Sequence, residues 1–341
     1  MWLTSSSVGR KFVMAVSGAA LVLFVTFHCL MNSVAIFWPT AYNAVCEFLG
    51  ANWYALLASA GLALLIVIHI IYACWLTLQN RAARGSVRYS IETRPKGVEW
   101  ASKNMLVLGI VVLAFLGVHL VQFWAKMQLM EVLGCEGEYP AAAGTLFLNE
   151  AFSCWATPVI YAIGFIALWF HLNHGFWSMF QSVGWDNTTW IPRLKCIGKC
   201  WIAIVMLLFF AQLVAFTYNA NNGSYLSNQA LREQYKEMIL TTAQAEVGDD
   251  IAPMLEEFKA MPYDMAVAQI GTVTSQIDMM IQQANSPEFK QMAAQYPEAK
   301  QQVEQAKQLK PVMERIANFF DYLDPKAEPA QEAVKMQKQS R

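Results

Sequence analysis

Long apolar runs broken by short polar connections fill the first two thirds of the chain. Five of them, at residues 12–37, 53–78, 104–126, 154–178 and 198–218, reach the roughly 20 residues that a helix rising about 1.5 Å per residue needs to cross a bilayer. In hydrocarbon every backbone polar group must be satisfied within its own segment, so these runs predict helices and not strands. The first run follows Arg10 and Lys11 but is about twice the apolar length of a signal peptide and lacks a small-residue cleavage site, so it predicts a retained helix.

After Tyr218 the pattern changes. Tyr225, Leu226, Leu231, Met238 and Ile239 recur at helical spacing, and Pro253, Pro262, Pro287, Pro297 and Pro311 predict breaks into helices of one to five turns. The Gln-rich stretch 291–308 and the charged end 324–341 favour a partly ordered extension. The expected fold is all-α: a five-helix transmembrane bundle over 1–220, followed by a C-terminal helical, partly ordered extension over 221–341.

Composition sharpens that division. Only 14% of the 341 residues are charged, well below the roughly 25% of soluble domains, and 56% are hydrophobic. All 12 Trp, 5 His and 7 Cys precede residue 220, whereas the tail holds 16 Gln and none of these three. The bundle carries 12 Lys/Arg against 8 Asp/Glu and the tail 12 against 17, a balance that suits no nucleic-acid partner.

Basic residues sit in alternate connections. Arg10 and Lys11 precede the first run; Arg81, Arg84, Arg88, Arg94, Lys96 and Lys103 lie between the second and third; Arg193, Lys195 and Lys199 lie between the fourth and fifth. The positive-inside rule places these in the cytoplasm. Glu47 and then Glu131, Glu136, Glu138 and Glu150 mark the other connections as outward-facing. The expectation is a multi-pass protein of the inner (cytoplasmic) membrane, with the N-terminus cytoplasmic and the C-terminus on the outer, periplasmic side. Trp38, Trp53, Trp75, Trp100, Trp124 and Trp177 near run ends match an aromatic belt in a lipid bilayer.

Each of the first four runs carries histidine: His28, His69, His119, and the pair His171 and His174. An ionisable ring inside a membrane marks a functional site by default, although a hydrogen bond between helices explains any one of them equally well. Counted from the cytoplasmic ends, His28 and His119 both lie roughly 23 Å deep, whereas His69 and His171 lie roughly 10–14 Å deep. Two levels, each drawn from two helices, suit haem iron held from both sides by neutral imidazoles. Zinc is less apt, because four histidines on two levels close no tetrahedron. A proton relay would not require matched depths. His174, one turn nearer the cytoplasm, suits either a propionate-side donor or an interfacial hydrogen bond.

The stretches Ser5-Ser6-Ser7-Val8-Gly9-Arg10-Lys11, Ser17-Gly18 with His28 ten residues after the glycine, and His171-Leu172-Asn173-His174-Gly175-Phe176-Trp177-Ser178 followed by Phe180-Gln181-Ser182-Val183-Gly184-Trp185 carry a family resemblance. Across 1–220 the chain resembles the type B cytochrome b subunit of succinate:quinone oxidoreductases, the membrane anchor of succinate dehydrogenase and menaquinol:fumarate reductase. The resemblance implies two haems b, with His28 and His119 on the outer one and His69 and His171 on the inner one. It also implies cytoplasmic iron–sulfur and flavoprotein subunits, a menaquinone or menaquinol substrate, and an enzyme role limited to the quinone-reactive membrane subunit of that respiratory electron-transport complex. A homo-dimer of the complex is a further expectation. Arg10, Lys11, Arg81, Arg84, Arg88 and Lys103 would supply the docking face, with Arg10 and Lys103 on the propionate side, although positive-inside topology alone also explains them. Some menaquinol-oxidising members carry glutamate two residues before the fourth-helix ligand; here that position is Trp169, which removes that proton route. The tail has no counterpart in the resemblance.

Glu47, alone among carboxylates in the first outward connection, is the candidate quinone-linked base, against the simpler reading of a hydrated interfacial acid. A disulfide between Cys135 and Cys154 is conceivable in an oxidising outer compartment. Two other readings stay open: a dihaem subunit of a hydrogenase or formate dehydrogenase, and a haem-free transporter or scaffold.

Overall fold

The computed structural model describes residues 6–50, 52–84, 100–135, 137, 139–247, 251–289 and 296–324. Arg88, Arg94, Lys96, Glu136, Glu138, residues 291–295 and 325–341 lie outside them. The described residues are mostly helical, with no strand among them. Five helical segments are long and apolar enough to cross a bilayer, which makes this a multi-pass membrane protein. They are α1 (Ser7–Phe37), α3 (Trp53–Arg84), α4 (Trp100–His119) with its continuation, α7 (Ala156–Ser182) and α8 (Trp190–Asn221). A further helix, α2 (Pro39–Gly50), fills the connection after α1, and α6 (Gly144–Ser153) precedes α7.

The helices outrun the apolar stretches at their polar ends. α1 starts at Ser7, where the Ser6 hydroxyl accepts from the Gly9 amide at 2.9 Å and caps the first turn. α8 starts at Trp190 and not near 198, because its first turns carry Arg193, Lys195 and Lys199, which depress hydropathy without opposing a helix. α4 passes at Leu120 into a ten-residue π-helix, Leu120–Leu129, and ends in the single turn α5 (Met130–Val132). So long a π segment is rare.

The chain divides into two compact units. One comprises 1–136 with 147–221, and the other 137–146 with 222–341. In the first, α1 packs on α3, α7 and α8; α4 packs on α7 and touches α3; and α8 also packs on α7. Helices α1, α3, α4 and α7 therefore form a ring, with α8 against one side. Two glycines admit aromatic rings between helices. A Cβ on Gly164 would fall 2.4 Å from Phe115, and one on Gly198 would fall 2.4 Å from Phe176. Gln212 of α8 donates to the Cys29 carbonyl (2.8 Å) and to Ser33 (2.9 Å) of α1, and Trp201 donates to Thr26 at 3.1 Å. These bonds give the fifth span a fixed register on the first.

The second unit contains α9 (Ser224–Ser227), α10 (Gln229–Glu246), α11 (Ala252–Ala260), α12 (Tyr263–Gln283) and α13 (Pro297–Leu323). Asn228 caps α10 by accepting from the Leu231 amide at 3.1 Å. Tyr235, Leu240, Leu255, Ile270, Ile316 and Phe320 are buried in its core. Two expectations change here. Pro311 does not end a helix: it sits inside the 27-residue α13, at an exposed position where the carbonyl it deprives of a partner can be hydrated. The ten residues 137–146 belong with the tail and not with the anchor. Tyr139 packs on Tyr322 and Phe319, and Thr145 shares a 2.7 Å hydrogen bond with Tyr235. All seven cysteines are free thiols, so Cys135 and Cys154 are not bridged.

Candidate functional site

The four helices of the ring bring their histidines together across its diagonals. The His28 ring of α1 and the His119 ring of α4 lie 5.6 Å apart between centroids, at 89°. The His69 ring of α3 and the His171 ring of α7 lie 6.4 Å apart, at 61°. These are the pairs that residue counting matches in depth.

The remaining ring nitrogens show which face each pair offers. His69 Nδ1 lies 3.1 Å from the Ser17 hydroxyl, and that hydroxyl donates to the Met14 carbonyl at 3.1 Å. A carbonyl only accepts, so the serine proton is committed and its oxygen must accept Nδ1–H from His69. Nδ1 of His69 is thereby the donor, and in the neutral ring this leaves the lone pair on Nε2. On the other level, His119 Nδ1 lies 3.1 Å from Tyr161, whose hydroxyl donates to Gln122 Oε1 at 3.0 Å, while Gln122 donates to Thr157 at 3.1 Å. The same logic leaves the His119 lone pair on Nε2. Ser17 and Tyr161 are both buried, so neither bond competes with water.

For His69 and His119 this is the outer-sphere arrangement usual for metal-binding histidines, one nitrogen held by a hydrogen bond and the other free to coordinate, whereas His171 Nδ1 is buried without a hydrogen-bond partner among the described residues. The ring centres of the two pairs lie 6.4 and 5.6 Å apart, so on each level two imidazoles from opposite helices come close enough to share one ligand. Small residues stand beside the rings of His69 and His171. A Cβ on Gly18 would meet His69 at 3.7 Å and one on Gly109 would meet His171 at 3.9 Å, so histidine and glycine alternate around the ring of helices at that level. Phe24 stacks on His28 at 5.4 Å, and Phe115 and Phe123 flank His119. The donor set on each level, two imidazoles from opposite helices, is of a kind that haem iron accepts. No cluster of three or more His, Cys, Asp or Glu side chains suited to a metal ion occurs among the described residues, and two nitrogens per level do not complete zinc's tetrahedron.

The other expected site residues gather less closely. His174 lies edge-on to Trp177 at 5.2 Å, one turn beyond His171. The Arg10 guanidinium lies over Trp75 at 5.2 Å, joining the basic ends of α1 and α3. Lys103 is exposed, as is Glu47 on α2, and among the described residues no hydrogen bond or ion pair given for Glu47 or Lys103 joins it to either histidine pair. Conversely, Tyr161, Gln122 and Thr157 were not anticipated, and Ser17 entered only as part of a motif. Their signal is a polar side chain within an apolar span, a rule applied above only to ionisable groups. No protein-family model matches the chain, no curated protein matches its sequence and no solved structure matches its fold.

Proposed function

We propose that this chain is a membrane cytochrome b subunit that passes electrons through two haems b, between a menaquinone-type pool and iron–sulfur and flavoprotein subunits that interconvert succinate and fumarate. The observation that supports this reading is the pair of facing histidines on each diagonal, with Ser17 and Tyr161 directing Nε2 of His69 and His119 away from the hydrogen-bonded side. His28 and His119 would hold one group, and His69 and His171 the other. When bound, the haems supply reversible one-electron iron chemistry.

The chain's own residues orient and enclose. Ser17 and Tyr161 fix ring tautomer and rotation, and the phenylalanines around His28 and His119 keep water from the rings. Charge bias orients the basic connections to the cytoplasm and the C-terminal unit outward. Glu47, exposed on α2 at the acidic end, is the proposed quinone-linked base. A Glu47→Gln variant that oxidises menaquinol at the wild-type rate would remove that role. Dicarboxylate chemistry belongs to the partner subunits.

His171→Ala tests the ligand assignment. The purified variant should insert normally and contain about half the wild-type haem per chain. Full haem content would overturn the role of His171.

A further inference from the structure

The helices around the histidines repeat one spacing. α1 and α4, the first and third spans, each carry a glycine ten residues before a histidine: Gly18 before His28, and Gly109 before His119. α3 packs on α1 and α7 packs on α4, and each brings its own histidine against that glycine. A Cβ on Gly18 would lie 3.7 Å from His69 Cε1, and one on Gly109 would lie 3.9 Å from His171 Cε1. Ten residues of helix rise about 15 Å, so in both helix pairs the glycine stands at one histidine level and the histidine of the same helix at the other. Position for position, α1 with α3 matches α4 with α7.

The residue before the glycine breaks the match. On α1 it is Ser17, whose buried hydroxyl lies 3.1 Å from His69 Nδ1 and accepts its proton. On α4 it is Leu108, buried in an apolar cluster with Ala101, Val111 and Val112 of its own helix and with Ala167, which lies one turn before His171 on α7. His171 Nδ1 is buried with no hydrogen-bond partner among the described residues. An orphaned polar atom of this kind costs stability, and native folds keep one as a store of strain, as a redox device or beside a water.

We infer that Leu108 tunes the redox equilibrium of the group held by His69 and His171, by withholding from His171 the hydrogen bond that Ser17 gives to His69. The inference rests on the haem reading of the site. An imidazole whose Nδ1–H is bonded to an oxygen donates more strongly through Nε2 and favours the oxidised metal. On this level Ser17 strengthens one ligand, and the apolar side chain at 108 leaves the other as it is. Leucine there holds the equilibrium toward the reduced state, and a hydroxyl at the position matching Ser17 shifts it toward the oxidised state. Leu108 acts only through His171, which makes it a positioning residue.

Leu108→Thr and Leu108→Val are both β-branched and differ in one hydroxyl against one methyl, so comparing them removes the effect of shortening the side chain. Each is purified as the full chain with its copurifying partners, and its haem content and spectroscopic redox titration are recorded. At a given potential, the reduced-to-oxidised ratio of the haem that His171→Ala removes should be about fivefold lower in Leu108→Thr than in Leu108→Val, a midpoint lower by about 40 mV at about 59 mV per tenfold. The other haem should hold its midpoint. Leu108→Ser against Leu108→Ala makes the same comparison with smaller side chains, for use where the threonine variant fails to insert. Equal midpoints within both comparisons, or a shift confined to the haem on His28 and His119, overturns the tuning role and leaves the haem reading standing. A wild-type protein without haem overturns that reading and the inference with it.

Discussion

Replacing Tyr161 by Phe removes one hydroxyl and leaves ring volume almost unchanged, so its effect isolates two hydrogen bonds. One is the 3.1 Å bond that holds His119 Nδ1, and the other is the 3.0 Å bond to Gln122 Oε1. Each bond contributes about 0.5–1.5 kcal/mol net, and the Nδ1–H left without an acceptor in a buried place costs about 1–3 kcal/mol. The bundle should lose about 1–3 kcal/mol of stability, a loss expected with or without haem. The discriminating effect is electronic. An imidazole whose Nδ1–H is held by an oxygen acceptor donates more strongly through Nε2 and favours the oxidised metal. If about 1 kcal/mol of the lost bond differs between oxidation states, the midpoint potential of the haem on His28 and His119 rises by about 40 mV, since 1.4 kcal/mol corresponds to 59 mV for one electron. A spectroscopic redox titration of wild type and Tyr161→Phe reads both haems at once. One midpoint should rise and the other should stay fixed. Unchanged potentials for both haems, or a shift of the haem lost in His171→Ala, would refute the tautomer assignment at His119.

Ser17→Ala should act as the counterpart at the other level: the second midpoint rises by tens of mV while the first holds, or haem affinity falls about 10-fold or more, read as the haem-to-chain ratio after detergent washing. Gln212→Leu removes the buried bonds from α8 to Cys29 and Ser33, and should lower the thermal stability of the membrane unit by about 0.6–1.7 kcal/mol without changing haem content. In the C-terminal unit, partial burial alone would raise the Glu233 carboxyl, but hydrogen bonds from Lys236 and the Tyr263 amide outweigh it and hold it below the ordinary value of 4.5. The stability this adds is complete above pH 4.5 and is lost as pH falls through the lower folded-state value, so Glu233→Gln should flatten the acid side of a pH–stability curve. An unchanged curve would remove Glu233 from the acid response.

The spans were legible because each packs enough apolar residues to exceed any soluble helix, and their ends were not, because hydropathy stops at the first charges. α8 shows this best: eight residues from Trp190 to Ile197 are helical but too polar to count as membrane-spanning. α2 is short and amphipathic, so it passed as a connection. The grouping of residues 137–146 with the tail depends on Tyr139 and Thr145 meeting partners about 90 or more residues away, which no local pattern records. Among the site residues, histidine depth followed from helix rise alone. The hydroxyls of Ser17 and Tyr161 needed rotation and register as well, because only a packed bundle shows which nitrogen they reach.

The measurement that bears most directly on the central claim is the dithionite-reduced minus oxidised visible spectrum of the purified chain with its copurifying partners, taken with a haem-to-protein ratio. Two haems b per chain, falling to one in His171→Ala and to one different haem in His28→Ala, is the expected result. A colourless protein, or a single haem that survives both substitutions, would contradict it.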